Sequence, residues 1–175
     1  MPHLESATDL VILSSHSYGS SEVRTSILME EFANKRRVYF VAEPITGATL
    51  TSTYLKSIDN EVTIIQPYLP SDISIFESKK FHLQIIRDFV ADENIANYTI
   101  WTDTPQAMPF IRKLSPEIII YDCQKDYSST HRELEKELFL YADVVLTSAL
   151  KSEPSQFDIT IANTLRHPEQ SSSHA

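Results

Sequence analysis

The alternation of apolar and polar positions between Asn97 and Thr147 reads strand, loop, helix, strand, loop, helix, strand. YTIWT (98–102), EIIIYDC (117–123) and DVVLTS (143–148) are short runs rich in Ile, Val and Tyr, the composition of parallel strands covered on both faces. Between the first two, Thr104 can cap a helix opened by Pro105, where a missing N–H costs nothing, and Pro109 within it predicts a kink or a split. Between the last two, Thr130 and Glu133 read as a capping box before the amphipathic run HRELEKELFLYA. Upstream, DLVILSS (9–15) and VYFVA (38–42) predict strands around a helix at about 22–36, with Val23, Ile27, Leu28 and Phe32 on one face. VTIIQPYL (62–69) predicts a third strand, and Pro67 marks an edge or a strand end because it cannot donate to a ladder. Residues 76–94 predict a long helix with Phe81, Ile85 and Phe89 toward the sheet and His82 as a surface histidine. Residues 48–60 read as an irregular loop or a poor helix, and after Thr147 only FDITIA has the pattern of a strand.

Strands alternating with helices predict an α/β fold, Rossmann-like and doubly wound, with a mainly parallel sheet of about six strands flanked by helices. Residues 1–153 make one such domain, and 154–175 a C-terminal segment with a disordered tail. Ligands of these sheets sit beyond the carboxyl ends of the strands at a topological switch point. The switch is expected between the first strand and the Trp101 strand, which brings Ser15 to Gly19 toward Asp103 and Asp122.

Composition narrows the function classes. A formal charge of −9 disfavours nucleic acid or an anionic membrane as the main partner, since both need a basic footprint. Lys35, Arg36 and Arg37 read as cations compensating a helix end rather than as an anion site. The single cysteine, Cys123, excludes an internal disulfide and points to a buried thiol in a reducing, cytoplasmic setting. MPHLESATD has no signal-peptide pattern, and no apolar run approaches the ~18 residues of a membrane span. With only two glycines, neither a G-x-G-x-x-G fingerprint nor a P-loop can be written, and no cofactor is expected. The six histidines show no metal-binding spacing, so no metal is expected, and no G-x-S-x-G elbow is present.

The loop from Ser14 to Ser21 joins the first strand to a helix start and presents hydroxyls and backbone N–H groups, as a phosphate site would. A plain βα turn with its cap uses the same residues. His16 and Tyr18 can reach a ligand at the strand ends. Asp103, Asp122 and Asp126 could bind sugar hydroxyls or accept a proton, or could serve only as helix caps.

Several of these residues fall in a familiar order. RRVYFVAEP (36–44), Trp101 with Pro105, YDCQKDYSS (121–129) and ELFLYADVVLTSALKSE (137–153) resemble the N-terminal domain of retaining GT-B glycosyltransferases of family-four type, especially bacterial ones found with UDP-galactopyranose mutase. The likeness covers most of residues 9–153. It implies an acceptor-side half of a glycosyltransferase acting in envelope polysaccharide synthesis, inactive alone. It further implies a nucleotide-sugar donor held mainly by a second domain, a carbohydrate or lipid-linked acceptor, and a cytoplasmic site, peripheral to the inner membrane in some settings. Asp103 and His16, at the rim of the strand ends, are the catalytic candidates. Ser15, Ser17, Tyr18, Gly19, Arg24, Glu43, Asp122 and Asp126 are the substrate-binding ones. The chain departs from the pattern in lacking the Gln and Pro beside Arg24 and in having Lys125 where an acid is usual. Those departures keep open a non-enzymatic interaction module, which could pair as a homodimer. A flavodoxin-like flavin or phosphate binder is the other alternative, with Trp101, Tyr121 and Tyr127 as its aromatic candidates.

Overall fold

The computed structural model of the protein describes residues 8–20, 29–47, 51–124, 131–148 and 157–160. Six mutually parallel strands form its centre: β1 (Asp9–Leu13), β2 (Val38–Val41), β5 (Val62–Leu69), β6 (Tyr98–Thr102), β7 (Ile118–Cys123) and β8 (Val144–Ser148). Their order across the sheet is β5-β2-β1-β6-β7-β8. From β1 the chain moves out to β2 and β5, returns to β6, and continues to β7 and β8. The reversal lies between β1 and β6, where the strand pattern placed it. The architecture is the α/β, Rossmann-like, mainly parallel sheet that the sequence predicts.

β1, β2 and β6 are buried along their whole length, as strands covered on both sides must be. Side chains alternate between two cores. One contains Val11, Tyr39, Ile65, Ile100, Tyr121 and Val145 and is covered by α1 (Ile75–Asp92), a 3₁₀ turn (Pro105–Ala107), α2 (Met108–Ile111) and α3 (Arg132–Tyr141). The other contains Leu10, Ile12, Phe40 and Trp101, against which the helical residues 29–33 pack Met29, Phe32 and Ala33. Burying an Ile or Phe side chain contributes ~1.5–3 kcal/mol, so this two-sided interior is the main stabilising term.

The helix joints follow from local chemistry. Ser74 and Glu77 form a capping box at the start of α1, satisfying two orphan N–H groups reciprocally. Thr104 accepts from the Gln106 N–H as the expected cap, and Pro109 splits the following segment into a 3₁₀ turn and a single α turn. Thr130, with its expected capping box, lies outside the described residues, and α3 opens at Arg132 with His131 as a cap that makes no side-chain cap bond. Residues 22–28 of the expected helix at 22–36 lie outside them too.

Three expectations are corrected. Within 48–60, residues 53–59 are neither loop nor helix but a strand, β4 (Thr53–Asp59), antiparallel to β5 through a two-residue turn at Asn60 and Glu61. Both turn residues have positive φ, 45° and 64°, the type I′ geometry that matches strand twist. Pro67 lies in an interior strand, not at an edge. β4 pairs β5 along one side, while on the other β2 stops at Ile65 and the two-residue β3 (Ile45–Thr46) begins at Tyr68, so Pro67 falls in a gap of the ladder. The cations at 35–37 directly follow the helical residues 29–33 and also engage neighbours. Arg37 pairs with Asp9 at 2.5 Å, the Arg36 guanidinium lies 5.5 Å from the centre of the Phe32 ring, and Lys35 reaches Glu31 at 3.6 Å. His82 is not a surface residue, for reasons given with the cleft it lines. Finally, β9 (Phe157–Thr160) pairs antiparallel to β8, within the segment whose only strand pattern was FDITIA.

Candidate functional site at the switch point

Thr102, fully buried at the end of β6, organises the site. Its hydroxyl donates to the Leu13 carbonyl at 2.8 Å and accepts from the Thr104 N–H at 3.2 Å. The first bond ties the end of β6 to the end of β1, and the second bends the chain so that Asp103 turns toward the loop after β1. Ser14 donates its hydroxyl proton to one Asp103 oxygen at 2.7 Å, and the Ser15 N–H donates to the other at 3.2 Å. His16 Nδ1 lies 3.2 Å from Asp103 Oδ2, and the His16 N–H donates to Ser14 Oγ at 3.1 Å. A carboxylate facing Nδ1 favours the tautomer protonated there, which puts the imidazole lone pair on Nε2. The result is an ordered Ser-His-Asp constellation, with Asp103 9% exposed at its centre.

Beside it opens a cleft of 690 Å³, in the usual size range of small-molecule sites. Its floor is apolar, from Leu13, Val41, Ile86 and Ala107, and its rim carries Ser14, Ser15, Glu43, Ser71, Lys79 and Gln106. Ser14 and Ser15 therefore belong to the cleft and to the Asp103 network at once. On its outer side Gln106 Nε2 meets His131 Nε2 at 3.1 Å, joining the 3₁₀ turn to the start of α3. His82, on α1, forms part of the wall. Its ring stands edge-on to Phe110 at 4.8 Å, and its buried Nε2 has no hydrogen-bond partner among the described residues. Burial disfavours the imidazolium and pushes the His82 pKa down to about 4, so the side chain is neutral at neutral pH.

The other predicted site residues are spread out. Glu43 reaches the cleft rim. Tyr18 turns to the opposite face, with its ring edge-on to Phe40 at 5.4 Å and its hydroxyl donating to the Asp59 carbonyl. Ser17 and Gly19 are exposed in the turn between, where Gly19 adopts φ 78°. Asp122 is fully buried near the end of β7, on the Ile120 side of the sheet, and accepts from Gln124 Nε2 at 3.0 Å. Arg24 and Asp126 lie outside the described residues. Of the flavin-type aromatics, Trp101 and Tyr121 are buried in the two cores and Tyr127 is outside the described residues. Burial, then the neighbouring Cys123 and Glu135, raises the Tyr121 pKa. Thr102, His82 and Gln106 were not singled out as site residues by sequence reasoning, and Ser14 entered only as the start of the Ser14–Ser21 loop. Only Ser14, at a strand end, carried a readable signal. Among the described residues no group of three or more His, Cys, Asp or Glu side chains is placed to hold a metal ion, and no helix is long and apolar enough to cross a membrane.

A doubly wound α/β domain with a polar constellation at its switch point is a class of ligand-binding scaffold, which many chemistries share. Comparison adds no narrower class, for no protein-family model matches the chain and no curated protein is detectably similar to it.

Proposed function

We propose that this chain is the acceptor-side half of a glycosyltransferase, receiving a carbohydrate or lipid-linked acceptor at the β1–β6 switch point. The observation that supports it is the Ser14–His16–Asp103 network, which shares Ser14 with the lining of the cleft. Sugars are bound by convergent hydroxyl, carboxylate and imidazole groups beside apolar surface, and this rim supplies all four. In the reaction a bond forms between an acceptor oxygen and the anomeric carbon of the donor sugar while the bond from that carbon to phosphate breaks. Asp103 and His16 orient the acceptor hydroxyl and take part in holding its proton. The proposal assigns the donor nucleotide to protein outside these residues, because the described rim offers little positive charge for a departing phosphate.

The test is sugar transfer by the natural gene product from a panel of nucleotide sugars, with Asp103→Ala and His16→Ala beside the parent. Both variants are expected to lose most turnover while keeping the fold. Unchanged turnover in both removes the network from the mechanism. Clear transfer by residues 1–175 alone contradicts the assignment of the donor site elsewhere.

A further inference from the structure

On one side the sheet ends in β4, and among the described residues nothing pairs with the far edge of that strand. A two-residue turn closes on a hydrogen-bonded pair, so bonded pairs alternate from Asp59 with Val62, through Ser57 with Ile64, to Leu55 with Gln66. The N–H and C=O groups of Tyr54, Lys56 and Ile58 therefore point away from β5, toward the open edge. Bonding on the other side of β5 agrees with this phase, since the carbonyl of Ile65, opposite Lys56, accepts from the Ala42 N–H at 3.0 Å. Sheet edges are usually guarded by a proline, a bulge or an outward lysine. β4 has no proline and an unbroken register over Thr53–Asp59, and its one lysine is drawn back to Glu93 at 2.6 Å. Leu55 and Ile58, on opposite faces of the strand, are 61% and 72% exposed.

The edge is also acidic. Asp88 and Asp92 lie on the α1 side and Asp59 and Glu61 at the turn, and none of them is in an ion pair among the described residues. Two tyrosines register that field. Burial, then Asp92, Glu93 and Asp88, pushes the Tyr54 pKa up to about 12, and burial, then Asp59 and Glu30, raises that of Tyr18 on the other face. A second copy of this edge meets the same carboxylates and is repelled, whereas a cationic strand is attracted. We propose that the β4 edge takes up an extended basic segment of another protein as a further strand. Its backbone bonds to Tyr54, Lys56 and Ile58, and its Lys or Arg side chains meet Asp59 and Asp92. This interaction is independent of the reading of the cleft.

The experiment combines fluorescence anisotropy with amide hydrogen exchange, using three labelled heptapeptides that alternate Lys with Val, Lys with Pro, and Glu with Val. The Lys–Val peptide is expected to bind about tenfold or more tighter than either of the others. It is expected to slow exchange at Tyr54, Lys56 and Ile58 while leaving Leu55 and Ser57 unchanged. Ile58→Pro removes an outward N–H without taking a bond from the β5 ladder, and is expected to weaken this peptide about fivefold. Asp59→Asn with Glu61→Gln is expected to weaken it about threefold. Equal binding of the Lys–Pro peptide overturns the proposal, because net charge alone then suffices. Equal binding of the Glu–Val peptide, protection centred elsewhere, or no binding overturns it as well. If the same alternating protection appears without peptide as protein concentration rises, a second copy occupies the edge and the basic partner falls. Should Ile58→Pro unfold the hairpin, the exchange pattern of the parent decides.

Discussion

Two side chains control the site from beneath. The Thr102 hydroxyl bridges Leu13 and Thr104 in a fully buried position, so Thr102→Val keeps the shape but strands the Leu13 carbonyl and the Thr104 N–H. Leaving buried polar groups unpaired costs about 1–3 kcal/mol, and chemical denaturation should show a loss of that order with an unchanged m-value. His82 gives a pH signature. Its folded pKa of about 4 lies below the free value of 6.5, so the unfolded chain takes the proton first. Its contribution to stability is whole above pH 6.5 and falls as the pH drops toward 4, by up to about 3 kcal/mol. His82→Leu should flatten that part of the stability–pH curve, whereas a curve of unchanged slope would show that other groups carry it. Sequence reasoning found Asp103 and His16 because strand ends and carboxylates can be located from pattern. It missed Thr102 and misplaced His82 because both roles depend on partners 89 and 28 residues away, Leu13 and Phe110.

At the scale of elements, the helices and parallel strands were legible wherever an apolar run was bounded by turn residues. β4 was not, since every residue of TYLKSID except Tyr54 is exposed, leaving no buried face to give an alternating pattern, and its turn, Asn60-Glu61, lacks the usual glycine. Tertiary contacts hold that strand: the Tyr54 hydroxyl donates to Asp92 at 2.5 Å and Lys56 reaches Glu93 at 2.6 Å. Burial, reinforced by the Asp92 carboxylate, pushes the Tyr54 pKa up to about 12. Glu61 carries the strain of φ 64° with a Cβ, and Glu61→Gly should stabilise the protein by about 0.5 kcal/mol, read as a small rise in denaturation midpoint. In the opposite direction, Ser74→Ala removes the cap of α1 and should cost about 1 kcal/mol. Because Ile73, Ile75, Ser78 and Lys79 stand on or beside that first turn, the same variant should also weaken ligand binding at the cleft. An unaltered affinity would show that the cleft wall does not need the cap.

For the whole molecule, topology does what no single residue could. The chain reverses direction across the sheet between β1 and β6, and that reversal leaves the ends of the two strands side by side with space above them. The place of that reversal was readable because alternation of strands and helices leaves few right-handed solutions. The cleft was not readable, because its walls come from α1, the 3₁₀ turn and the start of α3, which meet only in three dimensions. The central claim is that a sugar-bearing ligand is received at this switch point through Ser14, His16 and Asp103. Its most direct test is an amide shift map of the ¹⁵N-labelled chain on titration with octyl β-glucoside and β-galactoside, repeated with Asp103→Asn. The account predicts saturable shifts centred on Ser14, Ser15, Thr104 and Gln106, weakened about tenfold or more in the variant. Shifts centred elsewhere, or a map that Asp103→Asn leaves unchanged, would contradict it.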